Sequence, residues 1–283
     1  MGVARTIADL RARLAAWKKS GEPIGLVPTM GALHEGHMAL VRAAQAQGGR
    51  VVVSIFVNPK QFGPNEDLDA YPRRDMADLE MLRRAAVDLA FVPAAAEIYP
   101  PGFATLVRVG GLGDGLCGAH RPGHFDGVAT VVAKLLLQSL PDAAYFGEKD
   151  YQQLMIVRRL VGDLDIPVRI EAVPTVREAD GLALSSRNQY LSPEERQIAP
   201  ALAHVLGSIA AALTAAPTAV AREIACGRKA LARAGFAVEY LEICEAANLA
   251  PVAAGIAAPA RIFAAVRLGR TRLIDNMPIA RVA

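Results

Sequence analysis

The sequence predicts an α/β protein: a Rossmann-like, doubly wound parallel sheet followed by a smaller α+β domain. Short apolar runs alternate with helical patterns through roughly the first two thirds of the 283 residues, as βαβ units do. The run VVVSIFVNP at 51–59 is apolar on both faces, which is typical of a strand covered by helices on both sides. After the segment SSRNQYLSPEERQIAP, 185–200, the pattern changes, and this change predicts the second domain.

The elements of the first domain follow from the spacing of apolar residues and from the turn residues between the runs. The predicted strands are 24–29, 51–59, 87–93, 143–150, which runs into a charged loop, and 168–176. The predicted helices are 37–47, 79–86, 128–140 and 152–164.

The second domain begins with two Ala-rich helices, around 198–214 and 218–234, which Pro217 separates. The segments 237–246 and 260–279 then alternate apolar and polar residues, as a half-buried antiparallel sheet would. We place the boundary near residues 185 to 190, which gives domains 1–186 and 187–283.

Composition excludes several classes of protein. Lys and Arg (31) nearly balance Asp and Glu (28), for a net charge of +3, whereas nucleic-acid binders carry a concentrated basic face. Three cysteines without C-x-x-C spacing suggest neither a disulfide framework nor a structural zinc site. No secretion signal is visible, and no apolar run approaches the ~18 residues of a membrane span. We therefore expect a cytoplasmic protein that binds neither nucleic acid nor membrane.

The stretch PTMGALHEGHMAL, 28–40, joins a predicted strand to a helix. Ligands settle at such carboxyl ends of parallel strands, and a helix start offers N–H groups to a phosphate. His34 and His37 would lie beside that anion and stabilise its charge. As zinc ligands the pair has the wrong spacing, i and i+3 with a glycine inside, and no third ligand is evident. Two structural histidines remain the alternative.

Two later loops carry complementary chemistry. YFGEKDYQQL, 145–154, delivers Lys149 between two acids at the end of a strand, and a lysine there suits phosphate. Gln152 and Gln153 follow, an amide pair able to bind carboxylate or hydroxyl groups at a loop rim. LALSSRNQYLS, 182–192, offers hydroxyls and Arg187 as a clamp for a triphosphate. Solvated polar loops are the alternative for both.

Two further segments are rich in polar side chains that suit a small hydroxylated acid. FVNPKQFGPNEDLDAYPRRD supplies Asn58, Gln61 and Tyr71 after a buried strand. GAHRPGHFDGV holds Arg121 and two histidines among glycines, as a lid or simply a turn would.

Taken in order, five of these motifs resemble the pantothenate synthetase family, the ATP-dependent pantoate:β-alanine ligases of the nucleotidylyltransferase superfamily. They are PTMGALHEGH, FVNPKQFGPNEDLDAYPR, RPGHFDGV, YFGEKDYQQL and LSSRNQYLS. The resemblance spans about residues 20–195. The tail resembles the family only in length, in helix-then-strand order and in its NMPI ending. One departure is Cys117, where an acidic residue before the glycine is expected.

The resemblance implies an enzyme that condenses pantoate with β-alanine through a pantoyl adenylate, releasing AMP and pyrophosphate. It implies ATP with Mg²⁺ as the substrate complex, no protein-bound metal, and a homodimer. The catalytic residues would be His34, His37 as proton donor, Lys149 and Arg187. ATP would contact Met30, Gly31, Ala32, Leu33, His34, Glu35, Gly36, His37, Gly147, Glu148, Lys149, Asp150, Val176 through its backbone, Leu184, Ser185, Ser186 and Arg187. The other substrates would contact Gln61, Gln153, Asn58, Tyr71 and Arg121.

The sequence leaves three alternatives open. A related nucleotidylyl-transferring enzyme would differ in its acceptor, and a His-dependent metal hydrolase would need a transition metal. A non-enzymatic nucleotide- or RNA-binding module is disfavoured by the balanced charge and by the few aromatic residues available for stacking.

Overall fold

The computed structural model describes residues 1–64 and 66–280; Asn65 and the last three residues of the predicted second domain, 281–283, lie outside it. Six parallel strands form the main sheet in the order β1-β4-β3-β2-β5-β6. They are β1 (Gly2–Ala4), β2 (Ile24–Thr29), β3 (Arg50–Ile55), β4 (Leu89–Phe91), β5 (Ala143–Gly147) and β6 (Arg169–Val173). The predicted doubly wound parallel sheet is confirmed.

Helices cover both faces of this sheet, which explains why its strands read as continuous apolar runs. One face packs on α1, α6 and α7, and the other packs on α2 and α3. The helices are α1 (Ile7–Lys19), α2 (Glu35–Ala46), α3 (Asp75–Arg84), α4 (Ala95–Ile98), α5 (Cys117–His120), α6 (His124–Ser139) and α7 (Tyr151–Asp163).

The strand order reverses between β2 and β5. From β2 the sheet extends to β3, β4 and β1, and from β5 it extends to β6 on the other side. Loops leaving two neighbouring strands in opposite directions open a crevice at their carboxyl ends, where ligands of such sheets bind. The predicted histidine loop follows β2 and the predicted lysine loop follows β5.

The C-terminal part is a three-stranded antiparallel sheet with helices against one face. Its elements are α8 (Pro193–Ile198), α9 (Ala201–Ala215), α10 (Val220–Arg233), β7 (Ala237–Glu245), β8 (Ala260–Leu268) and β9 (Thr271–Ile279). The prediction of a half-buried sheet is wrong. Its second face carries Tyr240, Cys244 and Phe263 into the core of the first domain, so β8 is buried almost throughout.

Several predicted bounds differ from the structure for local reasons. Strand β3 ends at Ile55 because the chain turns away at Asn58, whose side chain accepts a hydrogen bond from the N–H of Lys60 (3.2 Å). Helix α2 begins at Glu35, earlier than predicted, because an imidazole caps it. Strand β6 ends at Val173, just before Pro174, a residue that cannot donate to a neighbouring strand.

The helical stretch Pro193–Ala215 does reach the length and composition of a membrane span, with a hydropathy of 1.7, contrary to the expectation from sequence. It is interrupted between Ile198 and Ala201. Leu202, Leu206 and Ile209 lie in the core of the small domain, so its apolar face packs as that of a core helix does.

Candidate active site

A cavity of about 630 Å³ opens at the carboxyl ends of β2 and β5, between the main sheet and the small domain. Its volume lies in the usual range for small-molecule sites. The loops after β2, β3, β5 and β6 all contribute to its wall, and so does β9. The fold therefore brings together the motifs that lie far apart in the sequence.

The two histidines cap helix α2 and each holds the other's segment in place. The ring Nδ1 of His34 accepts from the N–H of Gly36 (3.1 Å), and the Nδ1 of His37 accepts from the N–H of His34 (3.2 Å). A Cβ on Gly36 would come within 2.8 Å of the His34 ring, so glycine is required there. These two N–H groups are already bonded, and the imidazoles are further groups that this helix end can present to an anion.

The capping bonds also fix where each ring carries its proton. A neutral imidazole whose Nδ1 accepts a hydrogen bond carries its proton on Nε2. Burial, followed by the positive charge of Lys149, lowers the pKa of His34 to about 4. Burial, followed by His34 and Lys149, lowers the pKa of His37 to about 3. Both rings are therefore neutral Nε2–H donors at pH 7, and their centroids lie 4.1 Å apart.

A buried carboxylate shapes the turn before the histidines. Asp78 of α3 accepts from the N–H of Ala32 (2.8 Å) and of Leu33 (2.9 Å). Gly31 and Ala32 both have positive φ, 79° and 49°, so the turn is unusual for an L-residue. Sequence reasoning missed Asp78, because its partner segment lies some 45 residues away and nothing local marks it.

Lys149 is presented by a short 3-10 turn, Glu148–Asp150, at the end of β5. Lys149 lines the same cavity as His34 and His37, and its positive charge contributes to the lowered pKa of both imidazoles. Among the described residues no ion pair or side-chain hydrogen bond involves Lys149, whereas Glu148 turns away and pairs with Arg261 of β8 (3.0 Å). Lys149 is thus a cation without a fixed counter-ion in the cavity wall.

The third predicted segment forms the opposite wall. The carbonyl of Val176 accepts from the N–H of Leu184 (3.0 Å), so the two stretches lie side by side. Ser185 begins a 3-10 turn, Ser186–Tyr190, and its hydroxyl accepts from the N–H of Arg187 (3.3 Å). This turn aims Ser186 and Arg187 across the cavity toward the loop that follows β3.

The amide of Gln61 is oriented by a buried neighbour. Asn58 is 1% exposed and donates to the Oε1 of Gln61 (3.0 Å) and to the carbonyl of Gly127 (3.0 Å). A Cβ on Gly127 would lie 2.2 Å from the carbonyl of Lys60. Glycine therefore lets helix α6 pack directly against the short 3-10 turn Pro59–Gln61. The Nε2 of Gln61 donates to the Sδ of Met30 (2.9 Å), and both side chains line the cavity, so the second N–H of this amide is the one left for a ligand. Asn58 therefore influences a bound ligand by orienting the side chain of Gln61.

Two adjacent acids of the loop after β3 pair with the two arginines predicted from sequence. Asp67 binds Arg187 through two bonds, 3.0 and 2.9 Å. Glu66 binds Arg121 through two bonds of 2.6 Å. Burial raises the pKa of Glu66, but the hydrogen bonds and charge of Arg121 outweigh it and bring that pKa down to about 2. The charge of each arginine is therefore balanced by a carboxylate in this structure. Sequence reasoning missed both acids.

The pair Gln152–Gln153 was predicted to lie together at the loop rim, and that prediction is wrong for one member. Gln153 lines the cavity. Gln152 is buried; its Oε1 accepts from the N–H of Cys117 (3.0 Å), and its Nε2 donates to the carbonyls of Leu112 (2.9 Å) and Gly115 (2.8 Å). Successive helix positions face different directions, so only one of two adjacent residues can face the ligand.

Most residues predicted from sequence line the same cavity. They are Met30, His34, Gly36, His37, Asn58, Gln61, Tyr71, Arg121, Gly147, Lys149, Asp150, Gln153, Val176, Leu184, Ser185, Ser186 and Arg187. Five others lie beside it without forming its wall: Gly31, Ala32, Leu33, Glu35 and Glu148. Contact between these five and a nucleotide stays a prediction.

The fold and the cavity together define an α/β protein whose small-molecule site lies where the order of the parallel strands reverses. More narrowly, the chain belongs to the pantoate-beta-alanine ligase family, whose sequence model matches residues 2–278. Pantothenate synthetase from Paramagnetospirillum magneticum is 56% identical over 98% of this chain and 97% of its own length.

The fold of this chain also matches solved structures of the same family. That of pantothenate synthetase from Thermus thermophilus superposes with a TM-score of 0.93, at 50% identity over 99% of each chain. Pantoate-beta-alanine ligase from Francisella tularensis, complexed with β,γ-ATP and β-alanine, gives a TM-score of 0.81 at 35% identity, over 98% of this chain and 97% of that one.

Proposed function

We propose that the cavity binds ATP and pantoate side by side and that the chain makes pantothenate in two steps. A carboxylate oxygen of pantoate attacks the α-phosphorus of ATP, the bond from that phosphorus to the bridging oxygen breaks, and pyrophosphate leaves. The amine of β-alanine then attacks the acyl carbon, AMP leaves, and the amine gives up a proton to water. A carboxylate needs this activation because its own oxygen is a poor leaving group.

The proposal depends on one observation. A single cavity, at the place where the strand order reverses between β2 and β5, is faced by the Nε2–H groups of His34 and His37, the Lys149 ammonium and the Ser185–Arg187 turn. Phosphoryl and nucleotidyl transfers depend on positioning and charge stabilisation more than on covalent chemistry. With their pKa values held at about 4 and 3, the imidazoles serve as hydrogen-bond donors to the phosphates. His37 acts as a proton donor once the phosphates raise its pKa.

The pantoate subsite is formed by two amides from different elements. Gln61 lines the cavity with one N–H bonded to Met30 Sδ and the other left for a ligand, and Gln153 faces the cavity from α7. An NH₂ group can donate to the carboxylate or to the hydroxyl groups of pantoate. Tyr71 and Arg121 close the same side, and Asn58 supports it from behind.

Mg²⁺ accompanies ATP and is held chiefly by phosphates and water. Within residues 1–64 and 66–280 no group of three or more His, Cys, Asp or Glu side chains could hold a metal ion. Mg²⁺ commonly keeps several waters in such sites. Asp150 lines the cavity and is the carboxylate that would meet it, directly or through a water. The cation supplies charge neutralisation on the phosphates.

We also propose that residues 187–283 act as a lid domain and that the enzyme is a cytoplasmic homodimer. Arg187 bridges to Asp67 of the first domain, which supports a lid that excludes water from the mixed anhydride. Retention of pantoyl adenylate when β-alanine is withheld tests the lid; rapid release and hydrolysis would contradict it. Sedimentation equilibrium tests the dimer.

The test of the function is a coupled assay for AMP and pyrophosphate in which pantoate and β-alanine are omitted in turn. Labelled pyrophosphate should exchange into ATP when pantoate is present and β-alanine is absent. Exchange that requires a different small acid would assign the chain another acceptor. Recovery of EDTA-treated enzyme with Mg²⁺ alone supports a nucleotide-borne cation, whereas a need for Zn²⁺ would contradict it.

Lys149→Ala should slow formation of the adenylate in a single turnover by about 10²-fold or more, because it removes a cation from beside the phosphates. The fold should stay intact. Lys229→Ala, at an exposed lysine of α10, is the matched control. Normal single-turnover adenylation by Lys149→Ala would remove the role assigned to this lysine.

A further inference from the structure

The small domain contributes two buried polar residues to the middle of a strand. Asp275 and Asn276 are adjacent in β9 and each is 3% exposed. Buried polar side chains destabilise a fold unless their hydrogen bonds are made. The partners of this pair therefore show what the pair does.

Asn276 holds the turn that carries the catalytic lysine. Its Nδ2 donates to the carbonyl of Glu148 (2.9 Å) and to the carbonyl of Lys149 (3.0 Å). Its Oδ1 accepts from Arg261 Nε (2.9 Å), and Arg261 also pairs with the Glu148 carboxylate and stacks 4.1 Å over the Tyr151 ring. Every hydrogen-bonding atom of the amide is thus used, and it fixes the backbone of the 3-10 turn.

Asp275 holds the other side of the nucleotide site. Its carboxylate accepts two bonds from Arg177, 2.6 and 2.9 Å long, and one from the N–H of Asn276 (2.8 Å). Arg177 directly follows Val176, and its Nη1 also donates to the carbonyl of Gly181 (3.1 Å). The carboxylate therefore fixes the segment that brings Val176 next to Leu184.

We propose that Asp275 and Asn276 are positioning residues that set the distance between the two halves of the ATP site. Their Cα atoms are neighbours, about 3.8 Å apart, and β9 pairs with β8 along its whole length. Successive side chains of a strand point in opposite directions, so one rigid strand reaches the loop after β5 and the loop after β6. This inference rests on the proposed function, since it concerns the same site.

The two residues should affect different kinetic constants. Asn276→Asp places a carboxylate against two carbonyls, so the turn shifts and Lys149 moves from the α-phosphate. We expect pantoate-dependent adenylation to fall about 10- to 100-fold, because a displacement near 1 Å has such effects, with little change in the ATP dissociation constant. Asp275→Asn loosens the Val176 segment, so the ATP dissociation constant should rise several-fold with a smaller change in rate.

A double-mutant cycle separates positioning from a purely structural role. In wild type, Asn276→Asp lowers the single-turnover rate; in the Lys149→Ala background it should lower the rate no further, because the residue acts through Lys149. Equal effects in both backgrounds would overturn the proposal. Asn248→Asp, at a residue with only local bonds, is the matched control.

Asn276→Ser keeps the test decisive if the Asp variant does not fold. Serine lacks the two amide donors and adds no charge, and it should also lower the adenylation rate only when Lys149 is present. A folded Ser variant with an unchanged rate would overturn the proposal. Failure of the proposed function is a separate outcome: wild type would then show no pantoate-dependent pyrophosphate exchange, whatever the cycle gives.

Discussion

His34 and His37 combine two tasks that usually fall to different residues. As caps they bond N–H groups of the first turn of α2 through Nδ1, and this leaves each Nε2–H free for an anion. Serine or aspartate would cap as well but would present no donor on the far side of the side chain. The sequence spacing of the pair, i and i+3, is the spacing of a capping box and not that of a zinc helix.

The low pKa of His37, about 3, has a consequence for stability. Between about pH 6.5 and pH 3 the unfolded chain binds a proton at this residue and the folded chain does not, so stability falls as pH falls through that window. Between pH 7 and pH 5 this residue should contribute a loss of about 1–2 kcal/mol in the free energy of unfolding.

Urea unfolding of wild type and His37→Gln at the two pH values measures this contribution. The variant should lose less stability on acidification than wild type does. His204→Gln, at an exposed histidine of α9, is the matched control. Equal losses in wild type and His37→Gln would show that the His37 ring is protonated in the folded enzyme at pH 5.

At the scale of elements, the loop after β3 connects both sides of the cavity. Besides its ion pairs with Arg121 and Arg187, the Ala70 carbonyl of this loop accepts from the Tyr190 hydroxyl (3.1 Å). These bonds hold the loop across the cavity mouth. A triphosphate that binds Arg187 would have to compete with Asp67, so we expect the contacts of this loop to change when ATP enters.

This competition predicts opposite effects from two substitutions. Asp67→Asn frees the guanidinium of Arg187, so a non-hydrolysable ATP analogue should bind several-fold more tightly in calorimetry. Arg187→Ala should weaken binding of the same analogue about 10-fold or more, because charge-assisted bonds to phosphate are lost. Asp69→Asn, in the same loop, is the control. Weaker binding by Asp67→Asn would instead make Asp67 a contributor to the nucleotide site.

The local sequence pattern was sufficient to predict the strands whose loops hold the candidate site residues. The predicted strands 24–29 and 143–150 correspond to β2 and β5, and the alternation of strands and helices predicted a parallel sheet in which their carboxyl ends lie at the same edge. It was insufficient for their partners: Asp67 and Arg187 lie 120 residues apart, and Arg177 and Asp275 lie 98 apart. Such pairs follow no helix or strand period, so one sequence alone does not reveal them.

At the scale of the whole molecule, the small domain is joined to the large one by both apolar and polar contacts. Tyr240 and Phe263 enter the first domain's core, which the alternation of 237–246 and 260–279 did not predict, because polar residues that face another domain look like polar residues that face water. The domains are therefore parts of one site, with β9 in its wall.

We expect this site to direct the carboxylate of pantoate to the α-phosphorus of ATP. The most direct measurement uses pantoate labelled with ¹⁸O in its carboxylate, ATP, Mg²⁺ and β-alanine, followed by ³¹P NMR of the products. Attack at the α-phosphorus leaves one ¹⁸O in the phosphate of AMP, and we expect that result. Label in inorganic phosphate, with ADP as the nucleotide product, would contradict it.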